Sequence, residues 1–146
     1  MNEDHFRRLE RMYLAAPFND FFCPTLSISE GAAEVAIDVG PRMHHTAGAA
    51  HGSVYFKLMD DAAFFAVNSL VDDVFVLTVS FNVYLLRPVV DSVLTSRGVV
   101  TSATRNLWIA DAEIKDDRGR IVGRGSGSFV RSKMALADID AYAADP

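Results

Sequence analysis

Residues 51–70 read HGSVYFKLMDDAAFFAVNSL, and the fold turns on how this stretch is read. From Ser53 to Leu70 it holds no Gly or Pro. Its apolar residues, from Val54, Tyr55 and Phe56 through Ala62, Ala63, Phe64, Phe65, Ala66 and Val67, fall on nearly every side of a helical wheel. A helix apolar all round is a buried one. At about 100° per residue, Lys57, Asp61 and Asn68 share one narrow stripe. Lys57 and Asp61 also have the i,i+4 spacing of a helical ion pair, so the stripe reads as a solvated face. Asp60 lies about 100° from Asp61, with Phe56 and Phe64 as its i−4 and i+4 neighbours, and falls off that stripe.

Upstream, residues 40–52 carry three glycines, one proline and three of the four histidines without periodicity, which reads as a loop. Before it, Leu26 and Ile28, then Val35, Ile37 and Val39, alternate with polar or small residues on either side of Glu30-Gly31, a hairpin of two half-buried strands. Residues 4–16 set Phe6, Leu9, Tyr13 and Ala16 on one stripe, a helix packed across something larger, which Pro17 ends. Phe18, Phe21 and Phe22 follow in an aromatic connector that includes Cys23, read as a small buried hydrophobe. Downstream, Val74–Arg87, Val89–Thr101, Trp108–Lys115 and Ile121–Arg131 are β-rich, with Asp116-Asp117-Arg118-Gly119 as a hairpin turn. Residues 132–146 read as a short frayed tail. The expected architecture is α+β, an antiparallel sheet wrapped on one central helix, with an extra N-terminal helix.

With 146 residues the chain makes about one domain. Half of it is hydrophobic and 23% is charged, which excludes bulk disorder. Fourteen Lys and Arg against nineteen Asp and Glu give a net charge of −5, so no electrostatic footprint for nucleic acid is present. The single cysteine cannot form an internal disulfide. No apolar run approaches the roughly 18 residues that span a bilayer, and Met-Asn-Glu-Asp-His has no apolar signal core. A cytoplasmic address without a membrane partner is expected.

Burying a carboxylate costs several kcal/mol (~) unless it is paired, so Asp60 is either satisfied by a partner or kept for a task. An apolar setting raises its pKa toward the range of proton exchange. Gly52 stands just before the helix, whose unpaired amides can hold a developing oxyanion, although alone it reads as a chain turn. His44, His45 and His51 match no zinc spacing, so no metal is expected. No nucleophile elbow supports a Ser-His-Asp triad. Gly123, Gly125 and Gly127 alternate in a strand pattern and read as room for another layer. Tyr55, Phe56, Phe64 and Phe65 read as core rather than as a substrate pocket.

His51-Gly52-Ser53-Val54 through Leu58-Met59-Asp60, Thr78-Val79-Ser80-Phe81-Asn82, Leu85-Leu86-Arg87-Pro88 and Asp117-Arg118-Gly119-Arg120-Ile121-Val122 together resemble the hotdog-fold acyl-CoA thioesterases of the phenylacetate-pathway (PaaI-like) type. The resemblance covers roughly residues 30–131. It implies a hotdog domain over residues 25–131, flanked by the N-terminal helix and connector (1–24) and the tail (132–146). It also implies dimers, often paired into tetramers, with sites at the dimer interface and neither metal nor bound cofactor. In that family's pattern Asp60 matches the catalytic acid, Gly52 the glycine whose amide polarises the thioester carbonyl, and Thr78 a hydroxyl that orients water. His45, His51 and Ser53 fall at the substrate-binding end. His45 stands where relatives carry Asn or Gln, and Ser53 where they carry another glycine. Arg87, Arg97, Arg105, Arg124 and Arg131 are candidates for the coenzyme A phosphates. The expected activity is hydrolysis of an acyl-CoA thioester; the alternatives are a non-enzymatic acyl-CoA-binding module and a hotdog dehydratase or hydratase using His45 or His51 with Asp60.

Overall fold

A computed structural model describes residues 2–145. In chain order the elements are α1 (Glu3–Leu14), α2 (Asn19–Phe22), β1 (Thr25–Ser29), β2 (Ala32–Val39), a 3-10 turn (Pro41–Met43) and α3 (Gly52–Asn68). There follow β3 (Val74–Leu85), β4 (Ser92–Ala103), β5 (Leu107–Lys115), β6 (Ile121–Ala135), a second 3-10 turn (Leu136–Asp138) and α4 (Asp140–Ala143). The six strands form one antiparallel sheet in the order β1-β2-β4-β5-β6-β3. Helix α3 packs against all of them. This is the hotdog fold, a long helix wrapped by a sheet, with α1 added in front.

Alternation explains the sheet's inner face. Val35, Ile37 and Val39 of β2 are buried while Glu34 and Asp38 are exposed, and Trp108, Ala110, Ala112 and Ile114 of β5 continue the buried row. The helix sits close because the residues beneath it are small. A Cβ on Gly98 would lie 2.3 Å from the backbone carbonyl of Ala62, so at this point α3 rests on bare β4 backbone. The alternating glycines of β6 make room both for a ring of the same sheet and for the helix layer: Cβ atoms on Gly125 and Gly127 would meet Phe81 of β3 at 2.6 and 2.4 Å, and Cβ atoms on Gly123 and Gly125 would meet Tyr55 and Met59 of α3 at 3.4 and 3.3 Å.

Three expectations are corrected. The stripe of Lys57, Asp61 and Asn68 is not a solvated face, because α1 and its connector cover it: Lys57 and Asn68 are buried, and Tyr13 Oη donates to Asp61 Oδ2 at 2.6 Å. Residues 132–145 do not fray. Strand β6 runs on to Ala135, Leu136 is buried, and Tyr142 Oη lies 2.7 Å from Nδ1 of the buried His5. Cys23 is exposed, because it caps α2 in a left-handed turn (φ 47°) rather than entering the core.

Candidate active site

Asp60 lies in the third turn of α3, on the side facing β3. Strand β3 departs from regular pairing at this point. Thr78 pairs with Phe129 but Ser80 with Ser128, which leaves one extra residue in β3. Such a bulge re-aims side chains, and Thr78 Oγ1 donates to Asp60 Oδ1 at 2.8 Å. Burial pushes the Asp60 carboxyl up to about 6, and the neighbouring charge of Asp61 adds to this, while the Thr78 hydrogen bond and Lys57 oppose it. The group is therefore ionised near neutral pH yet basic enough to accept a proton.

Asp60 and Thr78 open on a cavity of about 650 Å³ whose other walls include Phe64, Phe65, Phe75 and Leu77. Phe64 and Phe65 thus serve both the core and the cavity, whereas Phe56, expected in the core, is 42% exposed because it lies on the side of α3 away from the fully packed faces. Beside Asp60 lies a charged cluster that the sequence reading placed on a solvated face. Lys57 Nζ donates to Asp61 Oδ2 at 2.8 Å and lies 5.0–5.4 Å from the ring centroids of Tyr13, Phe18 and Phe22. Burial and the Asp61 carboxylate together raise the pKa of Tyr13. The available sequence signal was the i,i+4 pair itself; nothing local revealed that an aromatic connector would cover it.

Gly52 occupies a different place. It is the first residue of α3, so its N–H has no carbonyl within the helix to meet. It lines a cavity of about 280 Å³ together with His45, Tyr55, Leu85, Arg87 and Pro88. The structure thus brings Gly52 and His45 together, and Asp60 and Thr78 together, but separates the two pairs. Eight residues of helix place Gly52 about 12 Å from Asp60 along α3.

His51 and Ser53 cap the helix. Both Ser53 N–H and Ser53 Oγ lie within hydrogen-bond distance of His51 Nδ1, at 3.0 and 2.8 Å. The loop histidines diverge. His44 Nε2 meets the Val90 carbonyl at 2.6 Å, while His45 Nδ1 accepts from Ala47 N–H at 3.1 Å. Among the described residues no group of three His, Cys, Asp or Glu side chains gathers to hold a metal. Of the arginines nominated for coenzyme A, Arg87 adjoins Gly52, Arg124 pairs with Glu113 on the outer face of the sheet at 3.3 Å, and Arg131 pairs with Asp73.

The comparisons with known proteins agree with this fold. The PaaI protein from the phenylacetic acid degradation operon of E. coli superposes with a TM-score of 0.83 at 22% identity, covering 92% of this chain and 97% of its own. A mutant of the phenylacetic acid degradation protein PaaI from Thermus thermophilus matches with a TM-score of 0.73 at 24% identity, over 80% of this chain and 100% of its own. A thioesterase from Haemophilus influenzae matches with a TM-score of 0.75 at 18% identity, over 82% and 85%. No curated protein matches in sequence. Residues 47–122, which contain α3 and with it both Gly52 and Asp60, match the thioesterase superfamily, and the chain belongs to that family.

Proposed function

We propose that this protein is a cytoplasmic hydrolase of acyl-CoA thioesters, with Asp60 as general base or nucleophile, Thr78 as its hydroxyl partner and the Gly52 amide as oxyanion donor. The observation that carries this reading is Asp60 itself, a carboxyl raised to about 6, held by Thr78 and opening on a largely apolar cavity. As carboxylate it either takes a proton from a water attacking the thioester carbonyl or attacks that carbon directly. Negative charge then gathers on the carbonyl oxygen, and removing one donor to such an oxyanion can cost ~10²–10³ in rate. Collapse expels the coenzyme A thiolate, which takes up a proton; the water route leaves the free acid directly, whereas direct attack leaves an acyl anhydride on Asp60 that a water then hydrolyses to the free acid and the restored carboxylate.

Within one chain Asp60 and Gly52 cannot serve one carbonyl, which supports a site shared by two copies. Strand β3 is an edge of the sheet whose exposed residues include Leu77, Val79, Val83 and Leu85. A long apolar edge is a surface for pairing with another strand. The strand runs from Thr78, beside Asp60, to Leu85, beside Gly52. Antiparallel pairing of two β3 edges about a two-fold axis would bring one copy's Leu85 end to the other's Thr78 end, and with it Gly52 of the partner subunit toward Asp60.

The test is thiol release over a panel of acyl-CoAs by wild type, Asp60→Asn and Gly52→Pro, alone and mixed. Proline suits the first position of a helix and lacks an N–H, and His51 (φ −61°, ψ 142°) already has the extended backbone that a following proline requires. Each variant alone should be nearly inactive. Co-refolded in equal amounts they should recover about a quarter of the wild-type rate, since half the dimers would be mixed and each would hold one intact site of two. Full activity in Asp60→Asn refutes the assignment of Asp60. Saturable acyl-CoA binding without thiol release in wild type would favour the non-enzymatic module. The dehydratase reading needs a His–acid pair, but the side chain hydrogen-bonded to Asp60 is Thr78, and His51 is engaged with Ser53.

A further inference from the structure

We infer that the terminal segments of this chain form one part of the acyl pocket's wall and set which acyl groups it accepts; the inference rests on the hydrolase reading above. The match to the thioesterase superfamily spans residues 47–122. The cavity beside Asp60 is walled by Met12, Tyr13, Ala16 and Phe18 on one side and by Ile139 and Ala141 on another. All six lie outside that match, whereas Asp60 and Thr78 lie inside it.

These walls are built into the fold. His5, 2% exposed, places Nε2 2.8 Å from the Asn68 carbonyl at the end of α3 and Nδ1 2.7 Å from Tyr142 Oη of α4. The carbonyl can only accept, so Nε2 donates to it. Arg8 donates to the carbonyls of Tyr142 and Ala143 at 3.2 Å, and Arg11 to that of Ala144 at 3.0 Å. On the other side of the cavity, Tyr13 is tied to Asp61 and the Asn19 amide donates to the Tyr13 carbonyl at 2.7 Å. Both termini are thus anchored to α3, and to each other, around one end of the cavity. Its size falls within the roughly 300–1,000 Å³ of small-molecule sites, and its walls are chiefly apolar and aromatic. The class of acyl group that fits is apolar and larger than acetyl, with Ile139 and Ala141 among the residues that bound it.

The test fills or opens these walls at a distance from Asp60. Ala16→Phe fills the cavity from the N-terminal side, Ala141→Phe fills it from the C-terminal side, and Ile139→Ala opens it. For each, kcat/KM is measured with acetyl-, hexanoyl-, decanoyl-, palmitoyl- and phenylacetyl-CoA. A change of one methylene in a hydrophobic pocket is worth at least about tenfold. The filled variants should lose that much or more on the bulkier acyl groups while keeping their rate on acetyl-CoA, and Ile139→Ala should shift preference toward longer chains. Equal loss on every substrate, or no change in any folded variant, overturns the inference. If wild type hydrolyses none of the series, the hydrolase reading fails separately. The pocket is then judged by calorimetric binding of non-hydrolysable alkyl-CoA thioethers, where the same size dependence sustains it and its absence ends it.

Discussion

Thr78 donates its hydroxyl hydrogen to Asp60 Oδ1 at 2.8 Å, joining the extra residue's bulge in β3 to the middle of the central helix. The bond favours the ionised form of a carboxyl that burial drives the other way. Thr78→Val should therefore raise the Asp60 pKa. A hydrogen bond to a charged group contributes about 1.5–3 kcal/mol, which corresponds to roughly one to two pKa units. In a kcat/KM profile the acid limb should move upward from near 6 by about one unit, and Thr78→Ser should restore it. An unmoved limb with reduced kcat would mean that Thr78 acts on the substrate alone.

The raised pKa of Asp60 also makes stability depend on pH. The group titrates at about 6 when folded, against 3.8 as its ordinary value, so the folded state binds the extra proton between those values. Stability is then lost as pH rises through that window. Asp60→Asn removes the penalty. It should melt above wild type at pH 7.5, by up to about 3 kcal/mol, and together with it near pH 4. Thermal melts at the two pH values check the sign.

Lys57 and Asp61 form an ion pair with side chains only 9% and 18% exposed, roofed by Tyr13, Phe18 and Phe22. Removing one member of such a pair leaves the other buried and uncompensated, at a cost of about 3–5 kcal/mol. Lys57→Met should destabilise the chain by about 3 kcal/mol in urea. Tyr13→Phe, which removes one hydrogen bond to the same carboxylate, should lose about 1.5–3 kcal/mol.

Gly98 lies where α3 touches β4. Its substitution by Ala would put a Cβ 2.3 Å from the Ala62 carbonyl, against backbone that cannot rotate away. The helix must lift, and overpacking of this kind costs roughly 3 kcal/mol or more. Loss of a cooperative melt, or a large fall in its midpoint, is the expected outcome; an unchanged midpoint would mean that α3 slides on the sheet at little cost.

Much of the fold could be read locally. The periodicity of residues 53–70 marked α3 as buried, the alternation of Val35, Ile37 and Val39 marked a half-buried strand, and Asp116-Asp117-Arg118-Gly119 marked the turn in which Gly119 takes φ +76°. Periodicity reports which faces of an element avoid water, and these elements follow it. Lys57, Asp61 and Asn68 show its limit. A polar stripe looks the same in sequence whether it meets solvent or another helix, and here the partner, Tyr13, lies 48 residues away from Asp61.

The candidate site divides in the same way. That Asp60 sits among phenylalanines and off the polar stripe, and that Gly52 opens the helix, follows from helical geometry and therefore from the sequence alone. Tertiary structure alone decided that a bulge would turn Thr78 onto Asp60, that Gly52 would line a separate cavity, and that the two ends of the chain would meet around the space beside the carboxyl. These are contacts between residues distant in sequence, chosen by how the side chains of α1, α4 and β3 pack onto α3, and no local period carries that information.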